Sequence, residues 1–126
     1  MKYVVQPKKN PQDREIPAKF YAVAKSVGSI TFNDIAKEIE KRSSLTRGDI
    51  NNVLSNLVDV IPLFLKNGNT VRLGDFGSFH LTIQSKGKDT PEEVNAKSVI
   101  KVKTVFVSGT GLKKEMEDMP IERFPE

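Results

Sequence analysis

The chain has 126 residues, a formal net charge of +4, one histidine and no cysteine. That length supplies one modest core. The missing cysteines exclude disulfides and thiolate metal sites and suit a reducing compartment, and a lone histidine argues against a His-rich metal site or a Ser-His pair. No apolar run approaches the ~20 residues of a membrane-spanning helix, and Met1 to Pro7 is too short and too soon polar for a secretory signal. The basic surplus is uneven: six Lys/Arg against two Asp/Glu from Met1 to Ile30, five against five to Asn69, six against four to Gly111, then three against five in the tail.

Lys2 to Gln6 reads as a short strand, and Pro7-Lys8-Lys9-Asn10-Pro11-Gln12-Asp13 as a turn. Lys19 to Val27 suits strand or helix; its aromatic and β-branched content and the closing Gly28-Ser29 favour a strand. Together these pieces predict an N-terminal β-hairpin over residues 1–30. Thr31 and Asp34 then have the spacing of a capping box, followed by Phe32, Ile35, Ala36 and Ile39 on one helical face, with an end near Arg42. Thr46 and Asp49 repeat the device. Behind them Ile50, Val53, Leu54, Leu57, Val58, Ile61, Phe64 and Leu65 form a long apolar stripe, closed by Lys66-Asn67-Gly68. Pro62 lies inside this helix at a cost of about 3 kcal/mol. Eight buried apolar side chains at about 1.5–3 kcal/mol each outweigh it in gross terms.

Thr70 to Ile83 holds two period-two segments around Gly74-Asp75-Phe76-Gly77, a strand–turn–strand pattern. The Gly-x-x-Gly is weak as a phosphate loop, because no helix pattern follows it. Gln84 to Ser98 is a polar excursion. Val99 to Val107 reads as a third strand, with Ile100, Val102 and Phe106 on one face and Lys101 and Lys103 on the other. Ser108-Gly109-Thr110-Gly111 ends it. Leu112, Met116 and Met119 mark a short helix that stops at Pro120, and Ile121 to Glu126 reads as an extended tail.

Helix, long helix, hairpin, polar excursion, strand and short helix follow in order, joined by Gly74-Asp75-Phe76-Gly77-Ser78-Phe79 and by Phe106-Val107-Ser108-Gly109. From Thr31 to Met119 this resembles the HU/IHF family of bacterial histone-like DNA-binding proteins. Residues 1–30 resemble the extension on longer HU-related proteins of Bacteroides-type bacteria. The resemblance implies an α+β fold: a helical base with a three-stranded antiparallel β-saddle, in an intertwined homodimer, with an extra N-terminal β segment (1–30), an HU-like domain (31–119) and a tail (120–126). The apolar stripe and the two hairpin phenylalanines independently call for a second copy to cover them. The alternative is a monomer whose N-terminal hairpin covers the stripe. The expected dimer and core residues are Leu54, Leu57, Ile61, Phe64, Phe76, Phe79 and Phe106.

The expected partner is double-stranded DNA, bound in a cytoplasmic nucleoid setting with no cofactor, metal, membrane or small-molecule substrate. Binding phosphates requires cations on a rigid scaffold. Arg72, Lys101 and Lys103 are the leading candidates, since strand alternation can gather them on one face. Lys86 and Lys88 follow the hairpin, and Lys113 and Lys114 follow the Gly-Thr-Gly helix start. Arg47 stands where the family often has a phosphate-contacting base. His80 reads as a solvated side chain. The excursion departs from the family's arm: it lacks the Arg-Asn-Pro tip, and Thr90-Pro91-Glu92-Glu93 reads as a helix start carrying acid. A short helix there, little DNA bending and no enzymatic activity are expected. The alternative is a dimeric protein-interaction module with reduced DNA affinity.

Overall fold

The computed structural model describes residues 1–13 and 15–125. These residues form an α+β fold of three α-helices and two three-stranded sheets. The chain divides into two compact units, residues 1–31 with 117–126, and residues 32–116.

In the first unit, β1 (Lys2–Lys8) and β2 (Lys19–Lys25) form an antiparallel hairpin, and β6 (Glu122–Arg123) adds to β1 in parallel. The strand runs through Pro7 and Lys8, where a turn was expected. Pro7 stands opposite Phe20, while β6 pairs only with Lys2 and Tyr3. Beyond Tyr3 one side of β1 is an open edge, where a proline's missing N–H is tolerated. The expected extended tail supplies the third strand. The Glu122 N–H donates to the Met1 carbonyl at 3.0 Å and the Phe124 N–H to the Tyr3 carbonyl at 2.7 Å. Lys2 and Glu122 are ion-paired.

In the second unit, α1 (Phe32–Lys41) leads to α2 (Arg47–Lys66). The capping box at the start of α2 forms as its sequence implies. Thr46 Oγ1 accepts the Asp49 N–H at 3.2 Å, and Asp49 Oδ2 accepts the Thr46 N–H at 3.4 Å. The helix continues through Pro62 and closes at Asn67, followed by Gly68 at φ +87°. A sheet in the order β3-β4-β5 follows, made of β3 (Val71–Arg72), β4 (Gly77–Ser85) and β5 (Val99–Ser108), all antiparallel. A β-bulge leaves Ile100 unmatched, as the register jumps from Gln84–Lys101 to Ser85–Val99.

The two glycine motifs are halves of one joint. The Gly109 N–H donates to the Phe76 carbonyl at 2.9 Å and the Leu73 N–H to the Gly77 carbonyl at 2.8 Å. A Cβ on Gly109 would sit 2.7 Å from the Asp75 carbonyl carbon, and one on Gly111 would sit 2.7 Å from the Asp75 Cβ. Gly77, at φ +150°, faces Phe106, whose ring stacks obliquely on Phe76 and Phe79 at centroid distances of 5.4 and 5.0 Å. Close backbone approach therefore demands glycine on both sides of the contact. Helix α3 (Thr110–Glu117) starts directly behind it.

The excursion departs from expectation in kind. Pro91–Glu93 makes a single 3₁₀ turn rather than a helix, and Ala96–Ser98 makes a second. The Thr90 hydroxyl donates to the Glu93 carboxylate at 3.2 Å and caps no backbone N–H. Val94 returns to extended backbone, and the Asn95 side chain accepts the Lys97 N–H at 2.9 Å to open its own turn. A β-branched residue followed by an asparagine that bonds locally stops helix growth. The excursion is tied back to the strands by the Lys86 N–H, which donates to the Ser98 carbonyl at 2.8 Å.

Candidate nucleic-acid interface

Register decides which side chains share a face of the second sheet, because directly opposed residues point the same way. Arg72 stands opposite Ser78, His80 opposite Val105, Thr82 opposite Lys103 and Gln84 opposite Lys101. Arg72, Lys101 and Lys103 are thus gathered on one face with Ser78, His80, Thr82 and Gln84, and Val105 and Val107 share its end near Arg72. All three cations are exposed. The hydrogen-bonding neighbours Ser78, Thr82 and Gln84 escape a reading of the sequence alone. Their alternation is visible there, but the cross-strand partners that set them beside lysines are not.

The remaining candidates fall at other places. Arg72 and Lys113 line one polar recess of about 340 Å³, with Asp75, Ser78 and Thr110 on its wall. The glycine joint thus brings a strand cation and a helix α3 cation to one recess, whose wall also carries the Asp75 carboxylate. Lys114 is exposed on α3, and Lys86 and Lys88 are exposed in the loop that leaves β4. Arg47 is not a free cation: its Nε donates to Glu40 Oε2 at 2.9 Å.

The opposite face of the sheet is apolar. Val71, Phe79, Leu81 and Ile83 share it with Val102, Thr104 and Phe106. With Leu54, Leu57, Val58, Ile61 and Leu65 of α2 and Phe76 of the turn, this face borders a groove of about 850 Å³. Of the expected core residues, Leu54, Leu57, Ile61, Phe76 and Phe79 line the groove, and Phe106 packs on two of them. Phe64 lies outside it and is 48% exposed, on a second apolar side of α2 shared with Val53 and Val60. Among the described residues the only buried apolar side chains are Ala36, Ile50 and Leu65. A helix that is apolar on more than one side belongs inside a core, and here that core is unfilled.

A helical base under a three-stranded sheet, with an open apolar groove on one side and cations on the other, defines an HU-like domain. The chain belongs to the HU-HIG family, described as an HU domain fused to wHTH, Ig, or Glycine-rich motif, which matches residues 1–123. It is 28% identical over 83 residues to DNA-binding protein HRL18 of Rhizobium leguminosarum, covering 64% of this chain and 91% of that protein. It is 27% identical over 103 residues to Integration host factor subunit alpha of Aliivibrio salmonicida, covering 75% and 99%. A solved Bacteroides vulgatus structure superposes with TM-score 0.67 at 14% identity, over 97% of this chain; the chain spans 47% of its length. The Anabaena HU–DNA cocrystal structure superposes with TM-score 0.53 at 18% identity, over 71% of this chain and 100% of that one. These structures share the fold.

Proposed function

We propose that this protein is a homodimeric, nucleoid-associated, cytoplasmic DNA-binding protein that contacts duplex DNA through the face carrying Arg72, Lys101 and Lys103, without enzymatic activity. The observation that carries this reading is the register of β3, β4 and β5. It puts the three cations with Ser78, His80, Thr82 and Gln84 on one face, beside Val105 and Val107, and the phenylalanines, Leu81, Ile83 and Val102 on the other. Phosphate contacts of this kind fix position without reading sequence. A second copy fills the 850 Å³ groove and covers the exposed apolar sides of α2, turning the paired sheets into a saddle. Relatives named for DNA binding and for integration host factor support the same partner.

The tip of the excursion carries Asp89, Glu92 and Glu93 around a 3₁₀ turn. Sharp bending costs roughly 1–6 kcal/mol and must be met by added contacts; an acidic tip repels phosphate instead. The protein therefore binds DNA with little bending. The same acidic tip favours the second reading, an interaction module on this scaffold with reduced DNA affinity.

The test is a gel shift with several unrelated duplexes across a salt series. Affinity is expected to vary little with sequence and to fall steeply with salt, as counterion release requires. No shift at low salt would leave the second reading standing. A fluorescence-transfer assay on end-labelled duplex should show little approach of the ends.

A further inference from the structure

The N-terminal sheet is as two-sided as the second one. By its register, Lys2, Val4, Gln6 and Lys8 of β1 share a face with Lys25, Val23, Tyr21 and Lys19 of β2. Tyr3, Val5 and Pro7 share the other with Ala24, Ala22 and Phe20. All four lysines of β1 and β2 therefore lie on one face; the reverse face is apolar in these two strands, with Arg123 of β6 beside Tyr3. Lys2 and Lys25 stand opposite each other at one end and Lys8 and Lys19 at the other. Six residue steps of about 3.3 Å separate the two pairs, roughly 20 Å. The carboxylate in register on the lysine face is Glu122, and it is ion-paired with Lys2.

The end near Lys8 is the more strongly basic. A recess of about 440 Å³ at the hairpin tip is lined by Lys8, Lys9 and Lys19, with Asn10 and Tyr21, and among the described residues no carboxylate lines it. Lys8 Nζ lies 5.7 Å from the centre of the Tyr21 ring. The Asp13 carboxylate in the connecting loop accepts the Glu15 N–H at 3.0 Å, and neither residue borders the recess.

From this placement we infer that the lysine face of the N-terminal sheet, centred on Lys8, Lys9 and Lys19, is a second contact surface for the phosphate backbone of duplex DNA. This rests on the DNA-binding reading above. Lysines are compact point charges suited to phosphates without base readout. Tyr21 and Gln6 stand between the lysine pairs with hydrogen-bonding groups that also reach phosphate and sugar. A face some 20 Å long spans the axial rise of about six phosphates of one strand.

The experiment compares the full-length protein with three charge-altered forms: Lys8, Lys9 and Lys19→Gln; Lys37, Lys41 and Arg42→Gln as a charge-matched control; and Arg72, Lys101 and Lys103→Glu. Equilibrium binding to a long duplex is measured across a salt series, with circular dichroism to verify the fold. The tip variant should lose roughly tenfold in affinity at moderate salt, and its log–log salt slope should become shallower by about 2–3, since each lost phosphate contact removes ~0.9. The control should match the unaltered protein. An unchanged slope in the tip variant, or an equal loss in the control, overturns the inference. Failure of the underlying reading looks different: the unaltered protein itself does not bind. Binding of the unaltered protein to anionic vesicles but not to DNA overturns it in favour of a membrane surface.

Discussion

The two three-stranded sheets obey the same alternation but are held by different means. The β3-β4-β5 sheet is locked at one end by a joint in which Gly77, Gly109 and Gly111 let the Asp75 turn, β5 and the start of α3 approach closer than any Cβ permits. Its apolar face is provided with a helix, α2, though the groove between them is not closed. The β2-β1-β6 sheet has no such joint. It is a plain hairpin closed by two residues of the tail, and Phe20 on its apolar face remains 70% exposed. The lesson is that one sheet announces itself by backbone geometry that only particular residues satisfy, the other only by pattern. Substitutions should separate the two accordingly.

The largest effect is expected where the unfilled groove meets charge. Ile61→Asp places a carboxylate among Leu57, Phe79 and Leu81, and burying an unpaired charge costs several kcal/mol. Light scattering should show the dimer lost, and thermal melting should show a much weakened fold. A stable dimer carrying that substitution would place the subunit interface elsewhere. The same scattering measurement on the unaltered chain should give twice the 14.1 kDa monomer mass at micromolar concentration.

Next comes the joint. Gly109→Ala must push the Asp75 backbone aside, and overpacking of this kind costs about 1–3 kcal/mol. Gly87→Ala lies in open space in the excursion and should change stability by less than about 0.5 kcal/mol. Urea titrations of the pair check the contrast; equal effects would mean the close approach is not what fixes the sheet. A smaller effect belongs to the cap. Thr46→Ala removes the acceptor for the Asp49 N–H and should cost about 1 kcal/mol in the same titration. Smallest of all, Glu40→Ala breaks an exposed ion pair with Arg47, and exposed pairs contribute about 0.2–1 kcal/mol.

Much of the second unit was legible because its signals are local. The Thr46–Asp49 box, the apolar stripe of α2 and the two glycine motifs each sit within a few residues, and the helix and sheet boundaries follow from them. The rest depends on contacts between distant segments. Nothing near Glu122 shows that it pairs with a strand at the opposite end of the sequence. Pro7 reads as a breaker unless one knows that its strand has an open edge there. Thr90-Pro91-Glu92-Glu93 is a sound helix opening, yet the side chain of Asn95 ends it after one turn. The Arg47–Glu40 ion pair and the place of Phe64 outside the groove are likewise not visible in the sequence, because a helical stripe does not say which of its flanks a sheet covers. At the candidate interface, alternation could gather Arg72, Lys101 and Lys103, but the register that sets Thr82 and Gln84 among them is visible only in the folded sheet.

The most direct test of the central claim is duplex binding by the Arg72, Lys101 and Lys103→Glu variant at protein concentrations where it is dimeric. Reversing three cations on one face should weaken binding to all sequences about equally and by at least tenfold, and should flatten the salt slope by about 2–3. A variant that remains folded and dimeric and still binds duplex DNA with unchanged affinity and slope would contradict the account.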